Sequence, residues 1–65
     1  MKNEFLKGFA QATGLDRQEA EEEWAAFSRQ LSGITIRAIE DGGYEAGVRE
    51  GRRFRAMYPE EVEAR

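Results

Sequence analysis

The stretch ITIRAIEDGGYEAGVREGRRFRAMY, residues 34–58, decides the fold because it fits two different periodicities. Gly43, Gly47 and Gly51 recur every four residues, as on a helix that packs closely against a neighbour. Interior glycines each cost a helix about 1 kcal/mol relative to Ala. Apolar residues of the same stretch also alternate, which is typical of strands. The alternating triplets are Ile34, Ile36 and Ala38; Tyr44, Ala46 and Val48; and Phe54, Ala56 and Tyr58.

The alternation predicts a three-stranded antiparallel meander. Glycine and charged residues stand at both junctions between the triplets, as expected of hairpin loops. The predicted strands are residues 34–40, 44–49 and 53–58. Keeping the apolar side chains on one face requires three-residue loops, with Gly43 in the left-handed conformation of the first.

Two helices are predicted before the meander, over residues 3–13 and 17–31. Asp16 followed by Glu19 is a D-x-x-E variant of the capping box and marks the start of the second helix. The apolar stripe of that helix has helical spacing and consists of Ala20, Trp24, Phe27 and Leu31.

These elements predict an α+β fold of order ααβββ, with both helices on one face of the sheet. Trp24 is expected to fill a trough formed by Ala38, Ala46 and Ala56. The alternative is a three-helix bundle in which residues 34–40 continue the second helix.

Length and composition limit the classes of protein to which the chain can belong. A chain of 65 residues allows one domain, predicted as residues 1–58 followed by an acidic tail at 59–65. The sequence has no Cys and no His, which removes disulfides, thiolate metal sites and the commonest general base. No apolar run approaches the roughly 20 residues of a membrane span. We therefore expect a cytoplasmic protein without a membrane partner, without a cofactor and without a catalytic site.

Acidic and basic residues are segregated along a chain whose formal net charge is −3. An acidic run in the second predicted helix contains Asp16, Glu19, Glu21, Glu22 and Glu23. A basic set on the outer face of the predicted sheet contains Arg37, Arg49, Arg53 and Arg55. Either set is a candidate interaction surface, whereas a solvated face is the ordinary role of an acidic run.

The first half resembles a known family. The pattern K-N-E-F-L-x-x-F-A-x-x-T-G-L-D-R-x-E-A-E-x-x-x-x-A-F, residues 2–27, is similar to the opening helix pair of bacterial HU/IHF histone-like proteins. That resemblance implies a three-stranded sheet after the helices. Those proteins bind DNA through long basic arms tipped with proline, and this chain departs from the pattern because its only proline is Pro59.

A second resemblance is one of type. A short, acidic chain without His or Cys and with the stretch EAEEEW, residues 19–24, resembles the small inhibitors that phages direct against host defences, notably anti-CRISPR proteins. The resemblance implies a non-enzymatic inhibitor whose acidic surface imitates a nucleic-acid backbone. Its partner would be a host protein complex that binds nucleic acid, such as a CRISPR effector subunit.

The favoured hypothesis is this inhibitor, a monomer or weak dimer that does not itself bind nucleic acid. Its partner-binding residues are the acidic run, with Tyr44 and Tyr58 as candidate aromatic anchors. The alternative is a small HU-like or sheet-type DNA-binding regulator, in which the basic set contacts phosphates.

Overall fold

The computed structural model describes residues 2–60, and these form four α-helices and no strand. The helices are α1 (Lys2–Thr13), α2 (Arg17–Phe27), α3 (Gly33–Glu40) and α4 (Gly43–Met57). The predicted α+β fold of order ααβββ is therefore wrong. Part of the predicted acidic tail, residues 61–65, lies outside the described residues.

The predicted alternative, a three-helix bundle, shares the all-helical class of the structure. Its helices are connected differently, because it joined residues 34–40 to the second helix. Helix α2 ends at Phe27, and Ser28 donates its backbone N–H to the carbonyl of Trp24 at 2.8 Å. A new helix then begins because the Ser32 side chain caps it, accepting from the backbone N–H of Thr35 at 3.1 Å. The predicted continuation of the second helix is thus interrupted by residues 28–32.

Glycines form the seam between α1 and α4, which is the most extensive helix pair in the described part of the chain. A Cβ built on Gly47 would overlap the carbonyl oxygen of Phe5. One on Gly51 would lie 3.0 Å from the carbonyl oxygen of Phe9, and Gly8 of α1 meets the α4 backbone in the same way. The four-residue glycine spacing is therefore the true period of this stretch, because it lets two helix backbones touch.

Aromatic rings fill the core next to this seam. Phe5, Phe9, Trp24 and Phe54 are all at most 3% exposed. The ring of Trp24 lies 4.6 Å from that of Phe5 and 5.8 Å from that of Phe9. The predicted alanine trough for Trp24 does not exist, since only one of its three residues, Ala46, is buried.

The start of α2 confirms the capping-box prediction. The Asp16 carboxylate accepts from the backbone N–H of Glu19 at 2.7 Å, and the Glu19 carboxylate accepts from the backbone N–H of Asp16 at 3.3 Å. The preceding Gly14 has φ of 79°, so it reverses the chain between α1 and α2.

Helix α3 lies at the margin of the domain, and none of its residues is fully buried. Ile36 and Ile39 pack against the core from partly buried positions. The indole N–H of Trp24 donates to Oε2 of Glu40 at 2.8 Å, which connects α3 to α2. Gly43 has φ of 72°, the left-handed conformation that the sequence indicated, but it joins two helices rather than two strands.

No helix among residues 2–60 combines the length and the apolar character that crossing a bilayer requires.

Candidate nucleic-acid interface

The outer face of α4 carries a shallow groove with a volume of about 490 Å³. Side chains four residues apart lie on the same side of a helix, so the groove runs between two such rows. One row is Tyr44, Val48 and Arg52, and the other is Glu45, Arg49 and Arg53.

The groove is positively charged. Arg49, Arg52 and Arg53 are exposed, with side chains 67% exposed for Arg49 and 65% for Arg53. The opposing carboxylate within the groove is that of Glu45, which is also exposed. Three guanidiniums therefore face one exposed carboxylate on this side of a chain whose net charge is negative, and a second carboxylate, that of the buried Glu50, contacts two of them.

A buried carboxylate lies beneath two of these arginines. Glu50 is 4% exposed, and its Oε1 lies 3.4 Å from Nη1 of Arg53. Its Oε2 lies 3.7 Å from Nε of Arg49. Both contacts exceed the 2.7–2.9 Å of a strong charge-assisted hydrogen bond, so the two exposed guanidiniums keep donors for an external anion.

Tyr44 adds an aromatic ring to the basic groove. It lies at the first turn of α4 and is 44% exposed. Arg52 lies two turns further along the same row. An exposed ring beside guanidiniums can stack on a base while the cations contact phosphates. The strand interpretation separated Tyr44 from the arginines, and it placed Arg52 in a turn.

The other two predicted phosphate-binding residues lie elsewhere. Arg37 is exposed on α3, and Arg55 is exposed on α4 outside the lining of the groove. The structure therefore brings together Arg49 and Arg53 of the predicted basic set and adds Arg52. A helical wheel would have found this grouping, since residues 49, 52 and 53 share one side of a helix.

The predicted acidic surface is divided by the geometry of α2. Asp16 and Glu19 form the capping box, whereas Glu21 and Glu22 are exposed. Glu23 is half-buried and lines a different cleft, beside aromatic rings of the core. At 100° per residue, Glu21 and Glu23 point about 200° apart around the helix axis. The five carboxylates consequently do not share one face.

The two predicted tyrosine anchors also lie apart. Tyr58 follows α4 and packs its ring 5.3 Å from Phe54 and 6.3 Å from Phe27, while 44% of the residue stays exposed. Tyr44 and Tyr58 are separated by the length of α4, about 20 Å at 1.5 Å per residue. A single small epitope cannot contain both.

Residues 2–60 contain no group of three or more acidic side chains arranged to hold a metal ion. What the described surface offers is a set of cations and an aromatic ring on one helix face. Guanidiniums of this kind can contact the oxygens of anionic groups such as phosphates.

No protein-family model matches the chain, and neither curated proteins nor solved structures give a significant match. The resemblances to HU/IHF proteins and to anti-CRISPR proteins therefore gain no support from these comparisons.

Proposed function

We propose that the protein binds nucleic acid through the outer groove of α4. The observation that carries the proposal is the grouping of Arg49, Arg52 and Arg53 with the exposed ring of Tyr44 in one groove. Guanidiniums bind phosphate oxygens in a bidentate manner, and α4 supplies them from a rigid element. The proposal keeps the DNA-binding alternative of the sequence analysis and replaces its sheet face with a helix face.

The helix has dimensions suited to DNA. Its 15 residues span about 22 Å, and a helix of about 10–12 Å diameter fits the roughly 12 Å width of the major groove. Arginines at positions i, i+3 and i+4 of such a helix can reach phosphates on the groove wall. The same surface can also hold a single strand, since Tyr44 offers a stacking platform.

The net charge of −3 does not oppose this binding strongly. The domain extends 31 × 22 × 18 Å, and the carboxylates of Glu21 and Glu22 lie on α2, whereas the groove lies on α4. The Debye length is about 8 Å at physiological ionic strength, so charges separated by more than that distance are largely screened. The field at the groove is therefore set mainly by its own residues, which are three arginines against the carboxylates of Glu45 and Glu50.

Salt dependence tests the proposal directly. Fluorescence anisotropy with a labelled DNA duplex should show binding at about 50 mM salt. Three phosphate contacts should give a slope near −2.7 for the logarithm of the binding constant against the logarithm of salt concentration. The Arg52→Gln substitution should reduce the magnitude of that slope by about 0.9.

Arg17→Gln is the matched control, because it removes the same charge from an exposed site on α2. It should leave the slope unchanged. Absence of detectable binding at about 50 mM salt, or an equal effect of the two substitutions, would refute the proposal.

The acidic-inhibitor hypothesis stays a prediction with its own test. Charge reversal at Glu22 and Glu23 should abolish capture of a nucleic-acid-handling partner from a bacterial lysate if that surface is functional. Unchanged capture would contradict the acidic-surface mechanism. We also propose a cytoplasmic location, as expected from the sequence, and this location would give the protein access to either kind of partner.

A further inference from the structure

The outer groove of α4 has two chemically different ends. Tyr44 and Glu45 line it in the first turn of the helix. The arginines line it further along, at positions 49, 52 and 53. Positions 44 and 52 are about 12 Å apart along the axis at 1.5 Å per residue. The groove therefore has an aromatic end and an arginine end, and a ligand that spans it meets both.

The arginine end keeps a positive charge after its internal pairing is counted. Arg49 and Arg53 both contact the carboxylate of the buried Glu50, at 3.7 and 3.4 Å. Arg52 is exposed and makes no ion pair with the residues that the structure describes. Three guanidiniums against one carboxylate can still contact phosphate oxygens at this end of the groove.

The aromatic end fits an uncharged planar group better than it fits a phosphate. The exposed carboxylate of Glu45 would repel a phosphate placed over Tyr44. The same phosphate would cover the ring and the half-buried Val48, and placing a charge against apolar surface is costly. A flat ring can instead stack on Tyr44, which is 44% exposed.

An unpaired strand of nucleic acid offers both groups at once, whereas a duplex does not. The bases of a duplex are stacked inside it, so a protein reaches phosphates, sugars and base edges. Every base of a single strand has a free face that can stack on an aromatic side chain. A flexible strand can therefore place a base on Tyr44 while neighbouring phosphates remain at the arginines.

We propose that the preferred ligand of this groove is single-stranded nucleic acid, with a base stacked on Tyr44 and flanking phosphates at the arginine end. The inference rests on the proposed function and narrows its ligand from nucleic acid in general to an unpaired strand. Glu45 keeps the phosphates away from the aromatic end and so fixes where the base lies. Neither contact involves the sugar, so DNA and RNA share this chemistry.

Fluorescence anisotropy with a single strand and its duplex tests the proposal. The probe is a labelled oligothymidine of about 12 nucleotides, within the roughly 4–16 of known single-strand sites, alone or annealed to its complement. At about 50 mM salt the single strand should bind at least about fivefold more tightly, the effect of one stacked base. Its salt slope should be near −2.1 for three phosphate contacts, against about −2.7 for a duplex.

The outcomes separate this inference from the proposed function. Equal or tighter binding of the duplex would overturn the single-strand preference and leave nucleic-acid binding by the groove intact. Absence of binding by both probes would refute the proposed function and this inference with it.

An abasic strand of the same length tests the stacked base directly, because it keeps the phosphates and lacks the bases. The unaltered protein should bind it at least about fivefold more weakly than oligothymidine. Tyr44→Ala should lose about fivefold in affinity for oligothymidine and none for the abasic strand, whereas Tyr44→Phe, which keeps the ring, should bind oligothymidine within about twofold of the unaltered protein. Equal affinity for the two strands, or an equal loss of both in Tyr44→Ala, would overturn the proposal.

A last comparison concerns the source of the strand. Oligouridine and oligodeoxyuridine of equal length differ only in the 2′-hydroxyl, so they should bind with similar affinity. A preference of about tenfold for either, the effect of one hydrogen bond to the sugar, would contradict recognition through base and phosphate alone.

Discussion

At the scale of the residue, individual glycines determine where the helices meet. Gly47 is buried, and the carbonyl of Phe5 occupies the space that its Cβ would need. Contact with backbone atoms cannot be relieved by rotating a side chain, so the two helices would have to separate. Steric space, rather than backbone conformation, requires glycine at position 47. Among the described residues only Gly14 and Gly43 have positive φ.

Substitution of Gly47 by Ala tests this requirement. Alanine favours a helix by about 1 kcal/mol over glycine, but the overlap should outweigh that gain and lower the free energy of unfolding by about 1–3 kcal/mol. Chemical denaturation measures the difference.

Gly33→Ala is the matched control, since a Cβ built on Gly33 would meet no described atom within 4 Å apart from its chain neighbours and the backbone of its own helix. It should be neutral or stabilising by up to about 1 kcal/mol. Equal stability of the two variants would show that α1 and α4 are not in the close contact described.

At the scale of the element, α3 is the least firmly packed helix. Its inward side chains, Ile36 and Ile39, are only partly buried, and Ile34 is 86% exposed. Its specific connection to α2 is the hydrogen bond from the Trp24 indole to Glu40. Elements with little buried apolar surface unfold locally at a lower free-energy cost than the rest of the protein.

The variant Glu40→Ala should destabilise α3 selectively. Loss of the acceptor leaves the indole N–H of the buried Trp24 without its partner, and hydrogen bonds to charged groups contribute about 1.5–3 kcal/mol. Hydrogen exchange of α3 amides should accelerate more than exchange in α1 and α4. Uniform acceleration in all helices, or none, would contradict a local role for this bond, and Glu45→Ala, which removes an exposed carboxylate of α4, is the control.

At the scale of the whole molecule, we expect separate charged surfaces to affect the binding of charged partners more than net charge does. The acidic residues of α2 and the arginines of α4 belong to different helices of a domain 31 Å long. Screening over about 8 Å makes each surface act mainly on what it contacts. A protein of charge −3 can thus carry a local anion-binding groove.

Neutralising carboxylates of α2 should therefore have little effect on DNA binding. The double variant Glu21→Gln and Glu22→Gln should strengthen binding by less than about twofold at physiological salt, although it removes two negative charges. Anisotropy titration beside Arg52→Gln gives the comparison. A strengthening as large as the weakening caused by Arg52→Gln would show that net charge, rather than the groove, controls binding.

The sequence determined several local features, although it placed the end of α2 at residue 31 rather than at Phe27. The start of α2 could be predicted because the capping box between Asp16 and Glu19 is a contact between neighbours in the chain. The bounds of α1 and the left-handed Gly43 depend equally on nearby residues. In the candidate interface, Arg49 and Arg53 could be predicted from the sequence, because charged residues are identified without knowing the fold.

Tertiary structure decided the secondary structure of residues 34–58. The strand period of this stretch can be recognised without any neighbour, whereas its helix period is favourable only beside another helix. Alternation is visible in the sequence alone, and interior glycines count against a helix when no neighbour is considered. Only the presence of α1 makes those glycines favourable, since they allow its backbone to approach Gly47 and Gly51. Once residues 43–57 form a helix, its periodicity brings Arg52 and Tyr44 to one groove, so the candidate site followed from the choice of helix over strand, and the contact with α1 decided that choice.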